Sequence, residues 1–134
     1  MLEAKGKRLG FLKSDERVVP RVTFVAPEVA SVGMTADEAK KRFKKALVGR
    51  YHVASLGRAA TDNGRFGLVK IVAHPTTRKV LGCHMLSEHA GEMVHEAALA
   101  IHLGATVDKV ASLIHAYPTW SEAVVAAASA CVLE

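Results

Sequence analysis

What the chain has little of excludes several structural classes. Its 134 residues include only two cysteines and four prolines, and aromatic residues make up 5%. Because Cys83 and Cys131 lie far apart and no Cys-x-x-Cys occurs, we expect two core thiols in a cytosolic protein rather than a disulfide scaffold. No run of about 18 apolar residues occurs, so no membrane-spanning helix is predicted. The charged start also lacks the apolar stretch of a signal peptide.

Motifs that bind nucleotides or metals are missing as well. No Gly-x-Gly-x-x-Gly follows a predicted strand, and the sequence has no phosphate loop, Gly-x-Ser-x-Gly or His-Glu-x-x-His. The histidines at 84, 89, 95 and 102 are separated by five, six and seven residues, which is not a zinc spacing. We therefore expect neither a dinucleotide-binding fold nor a metal site in this chain.

The charges that are present form clusters. Lysine and arginine outnumber aspartate and glutamate by 18 to 13, which gives a net charge of +5. Most of the cations lie in residues 5–21 and 40–45, so a solvated tail and a solvated helix face are predicted rather than a nucleic-acid groove. Half of the residues are apolar and 23% are charged, which is typical of a globular domain, and the length suits one domain.

The order of predicted elements indicates an α+β fold, an antiparallel sheet of about five strands flanked by helices. Thr35 and Glu38 form a predicted capping box at the start of the first helix. Gly104 is predicted to end the longest helix, and Thr106 to cap the next. Residues 58–65 are predicted to be a polar turn region because Asp62-Asn63-Gly64 is a strong turn signal. The other predicted elements are strands at 21–25, 29–34, 47–56, 66–73 and 79–86, and helices at 87–103, 107–114 and 120–131.

Three ordered segments resemble one enzyme family. Residues 114–123, Ile-His-Ala-Tyr-Pro-Thr-Trp-Ser-Glu-Ala, closely resemble the C-terminal signature of the class I pyridine nucleotide-disulfide oxidoreductases. That family includes dihydrolipoamide dehydrogenase, glutathione reductase and mercuric reductase. Residues 20–33 resemble the family's entry into its dimerisation domain, and residues 67–71 followed by 80–84 are similar to it too. The resemblance covers about residues 20–131.

This resemblance implies one part of a longer enzyme. Residues 1–19 are expected to be a tail or linker from a preceding domain, and residues 20–134 the dimerisation domain. The parent would be a cytoplasmic homodimeric flavoprotein whose FAD and NAD(P) domains lie outside this chain. The isolated chain is expected to bind no cofactor, to be inactive, and to have no nucleic-acid or membrane partner. The alternative is a free-standing binding module of the same fold without catalysis.

Candidate site residues also follow from the resemblance. In family members that act on thiols, a histidine directly before the Pro-Thr pair reaches the partner subunit's flavin and cysteines and acts as acid and base, while a glutamate orients it. Here Tyr117 takes that position, Glu122 is the glutamate, and Pro118 is the candidate cofactor contact. A phenol titrates near ~10 and is a poor base at neutral pH. The departure therefore favours the mercuric reductase-like branch, in which the histidine is not retained.

Two points about this loop stay open. His115 lies two residues before Tyr117, so in an extended loop it would point to the same side and could partly replace the missing base. Residues 119–122 also form a capping-box pattern, in which Thr119 caps a helix and Glu122 does no more than assist it.

The predicted dimer contact comes from two apolar stripes. They lie on the helices at 90–101 and 120–131, and one small sheet is not expected to cover both. The remainder is expected to pair with a second copy across a two-fold axis.

Overall fold

Six strands form one antiparallel sheet in the computed structural model, which describes residues 15–64 and 66–134. The order across the sheet is β1-β2-β5-β4-β3-β6, and every pairing is antiparallel. The predicted α+β fold is therefore confirmed, with one strand more than expected. The strands are β1 (Arg21–Thr23), β2 (Glu28–Gly33), β3 (Leu47–His52), β4 (Leu68–Ala73), β5 (Val80–Ser87) and β6 (Val132–Leu133).

In the described ranges, five α-helices accompany the sheet: α1 (Ala36–Phe43), α2 (Gly57–Thr61), α3 (Ala90–His102), α4 (Val107–Ala111) and α5 (Glu122–Ser129); a single 3-10 turn, Val53–Ser55, follows β3. The capping box of α1 is confirmed, because the Thr35 side chain accepts from the Glu38 N–H at 3.2 Å and Glu38 accepts from the Thr35 N–H at 2.8 Å. Gly104 follows α3 at a φ of +63°, a left-handed conformation that suits glycine. Thr106 caps α4 as predicted.

The two faces of the sheet are covered differently. Helices α3 and α5 pack on one face, where alternate strand residues form the main core. Gly49 permits a close approach there, since a Cβ at this position would collide with the Ala127 carbonyl of α5. Helix α1 covers one end of the opposite face and buries a smaller cluster. Its fully buried members are Ala39, Ala46, Val48 and Val72.

Two predictions about individual elements are wrong, and one strand has no counterpart among the predicted elements. Strand β6 was not predicted, because two residues are too few to show an alternating pattern; Ala46 and Glu134 extend its pairing with β3 through two backbone hydrogen bonds. The predicted polar turn region at 58–65 contains α2, which buries Ala59, before the turn at Asn63. Helix α5 begins at Glu122 rather than Trp120, because the buried Trp120 indole packs beside Gly64 and holds the chain outside the helix.

The structure describes only the end of the predicted N-terminal tail. The predicted tail at residues 1–19 falls mostly outside the described residues, and residues 15–20 contain neither helix nor strand. In the described ranges, no helix combines the length and the apolar character needed to cross a membrane.

Candidate functional site

The family-like signature forms an irregular segment, residues 112–121, between α4 and α5. Its tip faces solvent: Ile114 is 94% exposed and Tyr117 77% exposed, and Pro118 is exposed as well. Trp120, close to α5, is buried and lies 5.5 Å from the His89 ring, centroid to centroid. The segment thus has a buried base and an exposed tip.

His115 holds the first half of this segment against α3. Its Nε2 lies 3.0 and 3.1 Å from the two carboxylate oxygens of Glu96, and its Nδ1 lies 3.2 Å from the Leu113 carbonyl oxygen. Burial lowers the pKa of His115, but the hydrogen bonds to Glu96 and Leu113 outweigh this effect, so the net pKa lies above its ordinary value. These contacts therefore favour the protonated form of His115.

Glu122 holds the second half. Its Oε2 accepts a hydrogen bond from the Thr119 N–H at 2.8 Å, which is one half of the predicted capping box. The other half is wrong. The N-cap residue is Ser121, without a side-chain cap bond, and the Thr119 hydroxyl is buried with no hydrogen-bond partner in the described part of the chain. Glu122 therefore fixes the loop backbone, while Thr119 does not cap α5.

Three of the candidate residues meet at one cavity of about 440 Å³. His115, Tyr117 and Glu122 line it, and Pro118 does not. Tyr117 lies over Gly57, where an added Cβ would be 2.8 Å from the phenol oxygen. The remaining walls come from the end of β3, the residues leading into α2, the loop itself and α5: Tyr51, Ser55, Leu56, Leu113, Val125 and Ala126.

Glu96 is the site residue that the sequence did not reveal. It lies on α3 between the buried residues Val94 and Ala97, and helical periodicity alone places it at the edge of the apolar stripe. Its partner lies 19 residues away in an irregular segment, so no spacing rule links the two. The available signal is an acidic residue at the margin of an apolar helix face.

An apolar surface borders the loop. By helical spacing, Leu99 and Leu103 lie three and seven residues after Glu96 on the same side as that residue, and the Glu96–His115 contact holds the segment that contains Leu113 and Ile114 against α3. We call Leu99, Leu103, Leu113, Ile114 and Tyr117 the α3–loop surface; each of its side chains is at least 54% exposed. The predicted contact through the two helix stripes is wrong, because their residues are mostly buried beneath the sheet.

Neither cysteine has the character of a reactive thiol. Cys83 and Cys131 are free, and burial raises the pKa of Cys83 to about 12 and that of Cys131 to about 11. Both are protonated near neutral pH, whereas the nucleophile in thiol chemistry is the thiolate. Among the described residues, no three histidine, cysteine or acidic side chains are grouped to hold a metal ion.

Comparison with known families identifies the domain. The model of the pyridine nucleotide-disulphide oxidoreductase dimerisation domain matches residues 19–128. The chain belongs to this family. Mitochondrial dihydrolipoyl dehydrogenase of Rattus norvegicus is 42% identical over 119 residues, which is 89% of this chain and 23% of that protein. Leghemoglobin reductase of Glycine max is 43% identical over 112 residues, or 84% of this chain and 21% of that protein.

Solved structures agree with this assignment. LpdA from Mycobacterium tuberculosis superposes with a TM-score of 0.81 at 27% identity, covering 92% of this chain and 27% of that chain. The HOCl-induced flavoprotein disulfide reductase RclA from Escherichia coli gives 0.82 at 25% identity, covering 94% and 30%. The chain spans less than a quarter of the length of the dihydrolipoyl dehydrogenase and the leghemoglobin reductase.

Proposed function

We propose that this chain is the C-terminal dimerisation domain, residues 20–134, of an FAD- and NAD(P)-dependent oxidoreductase similar to dihydrolipoyl dehydrogenase. In the homodimer it lends the Tyr117 loop to the partner subunit's active site. The family membership and the relatives' names support this assignment. The observation that carries it is the α3–loop surface, which surrounds the loop with exposed apolar side chains.

A two-fold dimer through this surface would explain its composition. Monomeric proteins seldom leave large apolar side chains grouped on their surface, and such groups mark interaction sites. In a two-fold interface each copy contributes the same patch, so both loops would face the opposite subunit. Tyr117 is itself a member of the patch, so it would be brought to the partner when the surface is buried.

The cofactors would be bound by other domains of the parent. Every strand pairing in residues 15–64 and 66–134 is antiparallel, whereas dinucleotide folds hold the pyrophosphate at a parallel strand–helix–strand unit. The described residues therefore lack the unit that would bind FAD or NAD(P) by itself. Their proposed contribution is limited to the loop.

Tyr117 and His115 indicate which kind of electron acceptor the parent enzyme reduces. Tyr117 offers a hydroxyl and an aromatic ring where thiol-reducing family members have a base. The two ring nitrogens of His115 already face Glu96 and the Leu113 carbonyl oxygen, which argues against a role as the replacement base. Both features favour a parent enzyme whose electron acceptor can be reduced without a base in this loop. The metal ion reduced in the mercuric reductase-like branch is an example.

Sedimentation equilibrium of the chain at micromolar concentration tests the proposed dimer. We expect wild type to dimerise and Ile114→Glu to raise the dimer dissociation constant by at least ~10-fold, because the two-fold axis places the new charge in the interface twice. Val132→Glu is the matched control: Val132 is 58% exposed but lies on β6, outside the α3–loop surface, and the variant should dimerise like wild type. A monomeric wild type, or equal effects of the two variants, would contradict the proposal.

A further inference from the structure

The surroundings of His115 require a doubly protonated ring. Glu96 faces Nε2, and the Leu113 carbonyl faces Nδ1, so both nitrogens need a hydrogen to donate. A neutral imidazole has only one N–H and would turn a lone pair toward one of these oxygens. The geometry is therefore complete only when the ring is an imidazolium ion, and its side chain is 12% exposed.

His115 joins a rigid element to the loop. Glu96 belongs to α3, whose Met93, Val94 and Ala97 are buried against the sheet. On the far side of Tyr117, the Thr119 N–H is fixed by Glu122. The loop tip is thus held at two points, one before and one after Tyr117, and only the first depends on a group that titrates near neutral pH.

The groups facing His115 are acidic or neutral. Glu96 approaches from α3 and Glu122 from α5, and the phenols of Tyr51 and Tyr117 share the cavity. No lysine or arginine is among the described residues that line it. Loss of the His115 proton would leave two carboxylates beside a neutral ring, and the Nδ1 or Nε2 contact would break.

From this geometry we infer that His115, paired with Glu96, is a positioning residue whose deprotonation releases the loop and moves Tyr117 away from Gly57. Because the folded state favours the protonated ring, the stabilisation is complete below the ordinary titration range of histidine and is lost as pH rises through it and above. The release of the loop is a property of this chain alone. That the release controls the partner subunit's active site rests on the proposed function.

An NMR pH titration of the chain tests this inference. The His115 ring signals and the Tyr117 ring and amide signals should change with one shared midpoint. Glu96→Gln removes the charge that holds the proton and should lower that midpoint by about one pH unit for both residues. Glu92→Gln is the matched control, since it removes an acidic charge from the first turn of the same helix at an exposed position and should leave the midpoint unchanged.

Two results would overturn the inference: Tyr117 signals that do not follow the His115 titration, or the same midpoint in wild type and Glu96→Gln. If Glu96→Gln does not fold, the wild-type titration still decides, because a purely structural His115 would leave Tyr117 unchanged across the transition. Sedimentation of the same samples separates the two proposals: a monomer with a coupled titration refutes the dimer alone, and a dimer without coupling refutes this inference alone.

Discussion

Replacing Thr119 with valine should stabilise the domain, although the sequence pattern predicts the opposite. The Thr119 hydroxyl is buried and has no hydrogen-bond partner among residues 15–64 and 66–134, while its backbone N–H donates to Glu122. A buried hydroxyl without a partner costs about 1–3 kcal/mol. Valine has nearly the same shape, keeps the β-branch and leaves the N–H in place. We therefore expect a gain near the lower limit, ~1 kcal/mol.

Urea denaturation can resolve a change of this size. With a slope of ~2 kcal/mol per molar urea, typical of a small domain, the midpoint should rise by ~0.5 M. In thermal melts the same gain corresponds to ~4 °C for a chain of this length. Thr35→Val is the matched control, because the Thr35 hydroxyl accepts from the Glu38 N–H and its loss should cost ~1 kcal/mol.

The sign of the Thr119→Val effect decides between two geometries. If Thr119 capped α5 as Thr35 caps α1, both variants would lose similar stability. The observed geometry predicts stability changes of opposite sign, because the Thr35 hydroxyl is hydrogen-bonded to the Glu38 N–H and the buried Thr119 hydroxyl does not cap its helix. A loss of ~1 kcal/mol in Thr119→Val would refute the reasoning and would mean that the hydroxyl has a partner in solution.

Two further predictions concern β3 and its neighbours. Gly49→Ala should lower stability by ~2–3 kcal/mol, since its methyl group would collide with the Ala127 carbonyl and force α5 away from the sheet; an unchanged urea midpoint would show that α5 can shift freely. The hydrogen bonds from Arg50 and Lys40 lower the pKa of Glu134 to about 2, so this carboxylate stabilises the fold above its ordinary pKa and loses that effect as pH falls toward 2. Thermal melts should therefore show Glu134→Gln below wild type at pH 6 and closer to it at pH 3, and an equal difference at both pH values would contradict the assignment.

The fold was predictable where one local rule determined the structure. The Thr35–Glu38 capping box, the left-handed Gly104 and the apolar stripe of α3 all appear as the sequence indicates. Prediction failed where an element depends on distant backbone. Strand β6 has two residues and exists because β3 offers a free edge for it, which no local pattern records.

The candidate site was predictable in its chain position but not in its contacts. The signature placed His115, Tyr117 and Glu122 in one loop, and the structure brings all three to one cavity. The Glu96–His115 pair and the Tyr117–Gly57 contact join residues 19 and 60 positions apart, so the tertiary fold had to be known first. The Thr119 cap failed for a related reason, because the burial of Trp120 overrides the local capping preference.

The arrangement of the loop explains how the domain accommodates tyrosine at this position. The residues that fix the loop are partly or fully buried: His115, which contacts Glu96 of α3, the Thr119–Glu122 pair at the start of α5, and Trp120 in the core. Tyr117 is 77% exposed and lies over Gly57, which has no side chain to oppose it. Changing Tyr117 would therefore alter the group presented to a partner while costing the domain little stability, because exposed substitutions usually change it by less than ~0.5 kcal/mol. Changing an anchor would instead move the whole loop. The chemistry proposed for the tip and the support at the base are thus assigned to different residues.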